Sequence, residues 1–157
     1  MDKIDSLNQV SEFHKTFKHP VLDTPQIPSA ERCALRVSLI QEELNELQQA
    51  ILDKDIVEVA DALCDIQYVL SGAVLEFGLG DKFVTLFNEV QRSNMSKACV
   101  SQEEAQQTVD YYQNEKGTAA YFVEKEGKFL VYRKEDNKTL KSINYSPANL
   151  KKIISEG

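Results

Sequence analysis

The sequence predicts a mainly α-helical protein: a four-helix-bundle-like core followed by a small C-terminal α+β appendage that contains a β-hairpin. Three observations lead there. Apolar residues recur at helical spacing through four successive segments before about residue 97. Each segment is bounded by Ser, Asp, Gly or Pro in the positions that start and stop helices. Beyond Lys97 the pattern becomes more polar, and two short β-prone runs flank Glu126-Gly127.

The elements follow in order. Leu7, Val10, Phe13 and Phe17 predict a first amphipathic helix over about Ile4 to Phe17. Pro20, Pro25 and Pro28 make His19 to Pro28 an irregular connection. Ser29 is the expected cap of a long second helix to about Asp53, with Leu35, Leu39, Ile40, Leu44, Leu47 and Ile51 in its apolar rhythm. Asp55, with Glu58 three residues later, has capping-box spacing and opens a third helix. That helix is apolar on most sides, from Ile56 to Phe77, so it is expected to be largely buried, and Gly78 and Gly80 end it. Asp81 opens a fourth helix through Phe83, Leu86, Phe87 and Val90, and these four segments are expected to share one core.

In the appendage, Ser101 and Glu104 repeat the capping-box spacing and introduce a polar helix that stops before Gly117. Tyr121 to Glu124 and Phe129 to Tyr132 predict the hairpin. Ser146 and Pro147 predict a last helix, with Ser146 as cap and Pro147 at the first position. The expected division is therefore a core over residues 1–97 and an appendage over 98–157.

With 157 residues, 42% hydrophobic and 27% charged, the chain has an ordinary globular composition. Its 18 Lys and Arg against 25 Asp and Glu give a net charge of −7. That balance excludes a nucleic-acid backbone as the main partner, but not a phosphorylated substrate approached through a metal ion. No apolar run nears the ~20 residues of a membrane span, and Met1-Asp2-Lys3-Ile4-Asp5 is unlike a secretory signal. Cys33, Cys64 and Cys99 are odd in number and widely spaced. The expectation is a reduced cytoplasmic protein.

The chemistry concentrates in two helices. At ~100° per residue, Glu42, Glu43 and Glu46 share an arc of the second helix, and Glu58, Asp61 and Asp65 share one of the third. With a turn near Lys54, Glu46 and Asp61 lie at depths of ~12 Å and ~10.5 Å from it, and Glu43 and Asp65 also come level. Crowded carboxylates raise one another's pKa unless a cation lies between them. An all-oxygen donor set favours Mg²⁺, with Mn²⁺ next, over zinc. Two other assignments stay open: Glu42, Glu43 and Glu46 also suit a solvated helix face, and Glu58 also completes the box of Asp55. Arg32, Arg36 or Lys97 are the cations available to neutralise Asp61 and Asp65 if the pair is simply a buried ion pair. His14 and His19 have no ligand-like spacing.

The pattern Glu42-Glu43-x-x-Glu46 followed by Glu58-x-x-Asp61 resembles the all-α nucleoside triphosphate pyrophosphohydrolases, from about Phe13 to Lys97. Arg36-x-x-Leu39-Ile40-x-Glu42-Glu43, Asp61-x-x-x-Asp65-x-x-Tyr68 and Arg92-Ser93-Asn94-Met95-Ser96-Lys97 are similar to its MazG-like, phosphoribosyl-ATP pyrophosphohydrolase-like branch. So are Leu140-Lys141 and Asn144-Tyr145-Ser146-Pro147 in the appendage. The resemblance implies Mg²⁺ held by Glu42, Glu43, Glu46, Glu58 and Asp61, with Glu43 or Glu46 orienting the attacking water. A nucleoside triphosphate would then be cleaved to nucleoside monophosphate and pyrophosphate. Asp65 and Tyr68, one turn apart, suit contacts to the sugar or base and equally a buried hydrogen-bonded pair. Asn94 and Lys97 suit phosphate contacts, with Lys97 a point charge, although a lysine here also suits the end of a helix. The apolar third helix and the resemblance both point to a homodimer that covers that helix.

Three other assignments fit the sequence less well. A true phosphoribosyl-ATP pyrophosphohydrolase of histidine biosynthesis is more compact than a chain with 60 residues after Lys97. A di-iron bundle needs Glu-x-x-His pairs, which neither histidine supplies. A non-catalytic helical nucleotide-binding protein fits poorly with the intact acidic set.

Overall fold

The computed structural model describes residues 4–155. Among them are α1 (Ser6–Thr16), α2 (Ala30–Asp53), α3 (Ile56–Glu76), α4 (Gly80–Met95), α5 (Gln102–Lys116), β1 (Ala120–Lys125), β2 (Lys128–Arg133) and α6 (Leu150–Ser155). The mainly helical class and the C-terminal hairpin agree with the sequence. No single helix among the described residues is long and apolar enough to cross a membrane.

Two compact units divide the chain between Phe83 and Val84, inside α4. The change of texture at Lys97 thus falls within the second unit. From Arg92 to Ser96, α4 is tied to the C-terminal segment: Arg92 donates to Ser146 Oγ and to the Pro147 carbonyl, and Ser93 Oγ bonds Tyr145 Oη at 2.9 Å. In the first unit α1, α2 and α3 pack together.

In that unit both α1 and α2 lie against α3. Ser29 Oγ accepts from Arg32 N at the start of α2. Lys54 ends α2 in the left-handed region at φ 58°, which turns the chain sharply. Asp55 then accepts from the backbone of Val57 and Glu58, opening α3. These caps fix the helical hairpin that carries both acidic stripes.

The irregular connection runs along the other end of α3, where Leu22 N donates to Leu75 O and Gln26 N to Phe77 O. There Gly78 has φ +67° and lies so close to Thr24 that a Cβ would sit 1.9 Å from its carbonyl oxygen. Only glycine suits that crossing.

Burial of α3 differs from expectation. Ser71, Gly72, Val74, Leu75 and Glu76 are buried, but Ile56, Val57, Ala60 and Leu63 are exposed. The cause is the reach of α1, whose contacts on α3 fall at Gln67, Tyr68 and Gly72. None of the described residues of the first unit covers the outer side of the first half of the helix.

The second unit has its own core of Cys99, Ala105, Val109, Ala120, Val131 and Leu140. Ser101 caps α5 as predicted, while Glu104 Oε2 accepts from Val100 N, one residue before the cap. In the hairpin, Tyr121 pairs with Tyr132 and Lys125 with Lys128. Glu126 and Gly127 both take positive φ, as the tight turn requires.

The last helix departs from the sequence reading. It begins at Leu150, and Asn149 rather than Ser146 caps it, accepting from Lys152 N at 3.3 Å. Ser146 is already committed, since its N–H donates to Ser96 Oγ and its hydroxyl accepts from Arg92. The three cysteines are free thiols, with Cys99 buried.

Candidate functional site

The hairpin of α2 and α3 brings most of the predicted acidic residues around Glu43. Its Oε2 is buried and has no hydrogen-bond partner among the described residues. Its pKa is raised from the ordinary carboxylate value, first by burial and then by the charges of Glu46, Asp65, Glu42 and Asp61. Four of the other five stripe residues therefore act electrostatically on Glu43, as a turn near Lys54 requires. None of them is in an ion pair among the described residues.

Glu58 stands nearer the turn. It lines an open pocket of 270 Å³ with Glu46, Gln49, Ala50, Asp53 and Asp55. Its backbone N–H donates to the Asp55 carboxylate, while Asp55 N donates to the Ala50 carbonyl, so Asp55 caps α3 and the reciprocal bond of a capping box does not form. Glu46 belongs to both groups and links the pocket to the Glu43 cluster.

The residues fit a hard divalent cation in donor type and in electrostatics. A buried carboxylate oxygen without a donor, surrounded by four further carboxylates, lacks only positive charge. No three His, Cys, Asp or Glu side chains among the described residues converge into a ready-made ligand cage.

The arginines do something other than neutralise the stripes. Arg32 and Arg36, one turn apart on α2, both bind the carboxylate of Glu76, which is 1% exposed. Burial, the largest single cause, pushes the Glu76 pKa up, but the hydrogen bonds from both arginines, with their charge, hold it below its ordinary value. Arg36 Nη2 also donates to His14 Nε2 at 3.3 Å, so the ring carries its proton on Nδ1, which donates to the Pro20 carbonyl at 2.9 Å. Neither arginine pairs with Asp61 or Asp65. The signal for this network was present as two arginines at i, i+4 on α2 and one acidic residue among Val74, Leu75 and Phe77.

Beside the cluster lies an apolar cavity of 300 Å³ lined by Phe13, His14, His19, Arg32, Leu35, Arg36, Leu39, Tyr68 and Val69. Phe13 stacks on His19 at 5.9 Å and meets the edge of Tyr68 at 5.6 Å. Leu39 and Tyr68 lie one helical turn from Glu43 and Asp65, so the aromatic cavity and the acidic cluster adjoin. Tyr68 was expected at the site; Phe13 and His19 were not, because they come from the first helix and the irregular segment.

Asn94 and Lys97 belong to the second unit. There Lys97 Nζ donates to Asn94 Oδ1 at 2.8 Å, so these two predicted substrate residues are partners of each other.

An uncharacterised protein of Acanthamoeba polyphaga mimivirus is 22% identical, in an alignment that covers 98% of this chain and 97% of that protein. The family model described as phosphoribosyl-ATP pyrophosphohydrolase matches residues 10–94, a span that holds all six stripe carboxylates, the aromatic cavity and Glu76. The chain therefore belongs to the phosphoribosyl-ATP pyrophosphohydrolase family, and its activity is of the nucleotide pyrophosphohydrolase type.

Proposed function

We propose that the protein is a Mg²⁺-dependent nucleoside triphosphate pyrophosphohydrolase that releases a nucleoside monophosphate and pyrophosphate. One observation carries this reading: the buried, unpartnered Glu43 Oε2 among Glu42, Glu46, Asp61 and Asp65. Glu42, Glu43, Glu46, Glu58 and Asp61 would hold the ion, with Mn²⁺ as an alternative. When bound, the cation supplies charge neutralisation for the phosphate oxygens and Lewis acidity at phosphorus.

The chain's own residues do the rest. Glu43 or Glu46 accepts a proton from the attacking water, whose oxygen bonds to phosphorus as the bond to pyrophosphate breaks. Asp65 and Tyr68 contact the sugar or base, and the cavity of Phe13, His19 and Tyr68 offers aromatic faces to the base.

The working unit is a homodimer. Val37, Leu44 and Ile51 on α2 repeat every seven residues, as do Ile56, Leu63 and Leu70 on α3, and all six are exposed. A seven-residue apolar repeat is the seam by which helices pack along their length, and a second copy of the same hairpin presents the matching seam.

The test is a panel of ribo- and deoxynucleoside triphosphates assayed with Mg²⁺ and Mn²⁺. Pyrophosphate release, cut at least 100-fold in a folded Glu46→Gln variant, is the expected result. Orthophosphate alone, or turnover unchanged in the variant, overturns the assignment.

A further inference from the structure

The second unit holds a cavity that the family chemistry leaves unused. It measures 400 Å³, within the range of small-molecule sites of about 300–1,000 Å³. Tyr111, Tyr112, Lys141, Ser142, Ile143 and Tyr145 line it. Three of the six tyrosines of the chain thus gather in one place.

The walls are fixed by hydrogen bonds that come from behind them. Lys141 N donates to Tyr112 Oη at 3.2 Å, and Ile143 N donates to the buried Thr108 Oγ1. Ser142, itself 4% exposed, donates from Oγ to the carboxylate of Glu104 and accepts from Asn144 N. Tyr145 N bonds the Ser142 carbonyl, and the Tyr145 hydroxyl is held by Ser93. The backbone that carries Lys141 and Tyr145 is therefore set before any ligand arrives, which lowers the ordering cost of binding.

Charge separates this cavity from the acidic cluster. Residues 1–83 contain 7 Lys and Arg against 15 Asp and Glu, whereas residues 84–157 contain 11 against 10. An anion here does not meet the repulsion that makes a bridging cation necessary on α2 and α3. Lys141 Nζ lies 4.4 Å from the centroid of the Tyr145 ring, which holds the ammonium beside the cavity. Lys116 Nζ stands 5.8 Å from the Tyr111 ring.

We propose that this cavity binds a nucleoside monophosphate, with the base against the tyrosine rings and the phosphate on the Lys141 ammonium, without a divalent cation. Tyrosine faces accept any base, because every base has a π face. One ammonium in the lining matches one phosphate; the further charge of a triphosphate has no counterpart in it. The site stands independently of the hydrolysis assigned to the first unit. It would sense either the product of that reaction or the monophosphate pool.

The test is a titration of the ¹⁵N-labelled full-length protein with adenosine monophosphate in EDTA, followed through the backbone amides. The expected result is saturable shifts at Lys141, Ser142 and Tyr145, weaker with adenosine and absent with inorganic phosphate at equal concentration. Lys141→Gln should weaken binding about tenfold, the scale of losing one hydrogen bond to a charged group. Tyr111→Ala should weaken it by a similar factor through lost stacking. Amide spectra of both variants without ligand must match wild type elsewhere, which separates lost binding from lost folding. Shifts confined to Glu43, Asp65 and Tyr68, no shifts at millimolar nucleotide, or unchanged affinity in both variants would overturn the proposal.

Discussion

Arg36 and Glu76, 40 residues apart in the chain, meet in the interior of the first unit, with Arg36 Nε donating to one oxygen of the carboxylate. Arg32 takes the other oxygen through Nε and reaches the shared one through Nη2 at 3.0 Å. The pair locks α2 to the end of α3 and thereby sets the level at which the two acidic stripes face each other. Glu76→Gln would leave a buried Arg36 without its counter-charge. The expected loss of stability is about 3–5 kcal/mol, readable from urea unfolding. Arg32→Gln should cost less, because Arg32 is the more exposed partner.

Acid should destabilise the protein in two stages. Burial lowers the His14 pKa below 6.5, helped by the charges of Arg36 and His19 and opposed by the Pro20 carbonyl and Glu76. The unfolded chain then binds a proton that the folded chain declines, so this contribution is complete above pH 6.5 and shrinks as pH falls below it. Glu76, lowered from 4.5, contributes stability that is present above pH 4.5 and lost as pH falls through its folded pKa. Melting temperatures measured from pH 8 to pH 4 should decline already from about 6.5. In a folded His14→Gln variant the first decline should vanish and only the carboxylate stage remain.

Glu43 carries the opposite sign. Its raised pKa means that the ionised form costs stability in the cation-free protein, which gains stability as pH falls through the folded value. Glu43→Gln should raise the melting temperature in EDTA. Mg²⁺ or Mn²⁺ should raise that of wild type and shift Glu43→Gln or Asp61→Asn much less. Equal shifts in all three proteins would remove these carboxylates from the metal site.

Sedimentation velocity tests the exposed heptads. Wild type should run as a dimer at micromolar concentration, and Leu63→Lys should run as a monomer with its helical circular dichroism retained. Leu63 is 52% exposed in the single chain, so a lysine there leaves the fold of one copy intact and acts on the seam. A dimer that survives Leu63→Lys paired with Leu44→Lys would place the interface elsewhere.

Local signals carried much of this structure. The turn at Lys54 followed from the Asp55 cap, and the level of Glu43 with Asp65 followed from helical rise alone. Glu126-Gly127 marked the hairpin because few residue pairs accept two positive φ angles. What escaped was decided by distant partners. Ser146-Pro147 has a sound helix-start signature, but Arg92 and Ser96, about 50 residues away, claim the polar groups of Ser146. The apolar sequence of α3 implied burial without revealing that α1 reaches only its second half. Phe13 on α1 meets Tyr68, and His19 at the start of the irregular connection meets Phe13, through a docking of α1 on α3 that no periodicity encodes.

The turn of the hairpin has a practical side. A Cβ added to Gly127 would meet no atom within 4 Å, and its neighbour Glu126 is exposed. The strands behind it are held by six paired residues on each side. Foreign sequence spliced between these two residues would project into solvent and load neither hydrophobic core. An epitope or a lanthanide-binding loop at this tip would equip the protein for capture or spectroscopy while the sequence of the helices that hold the carboxylates stays unchanged.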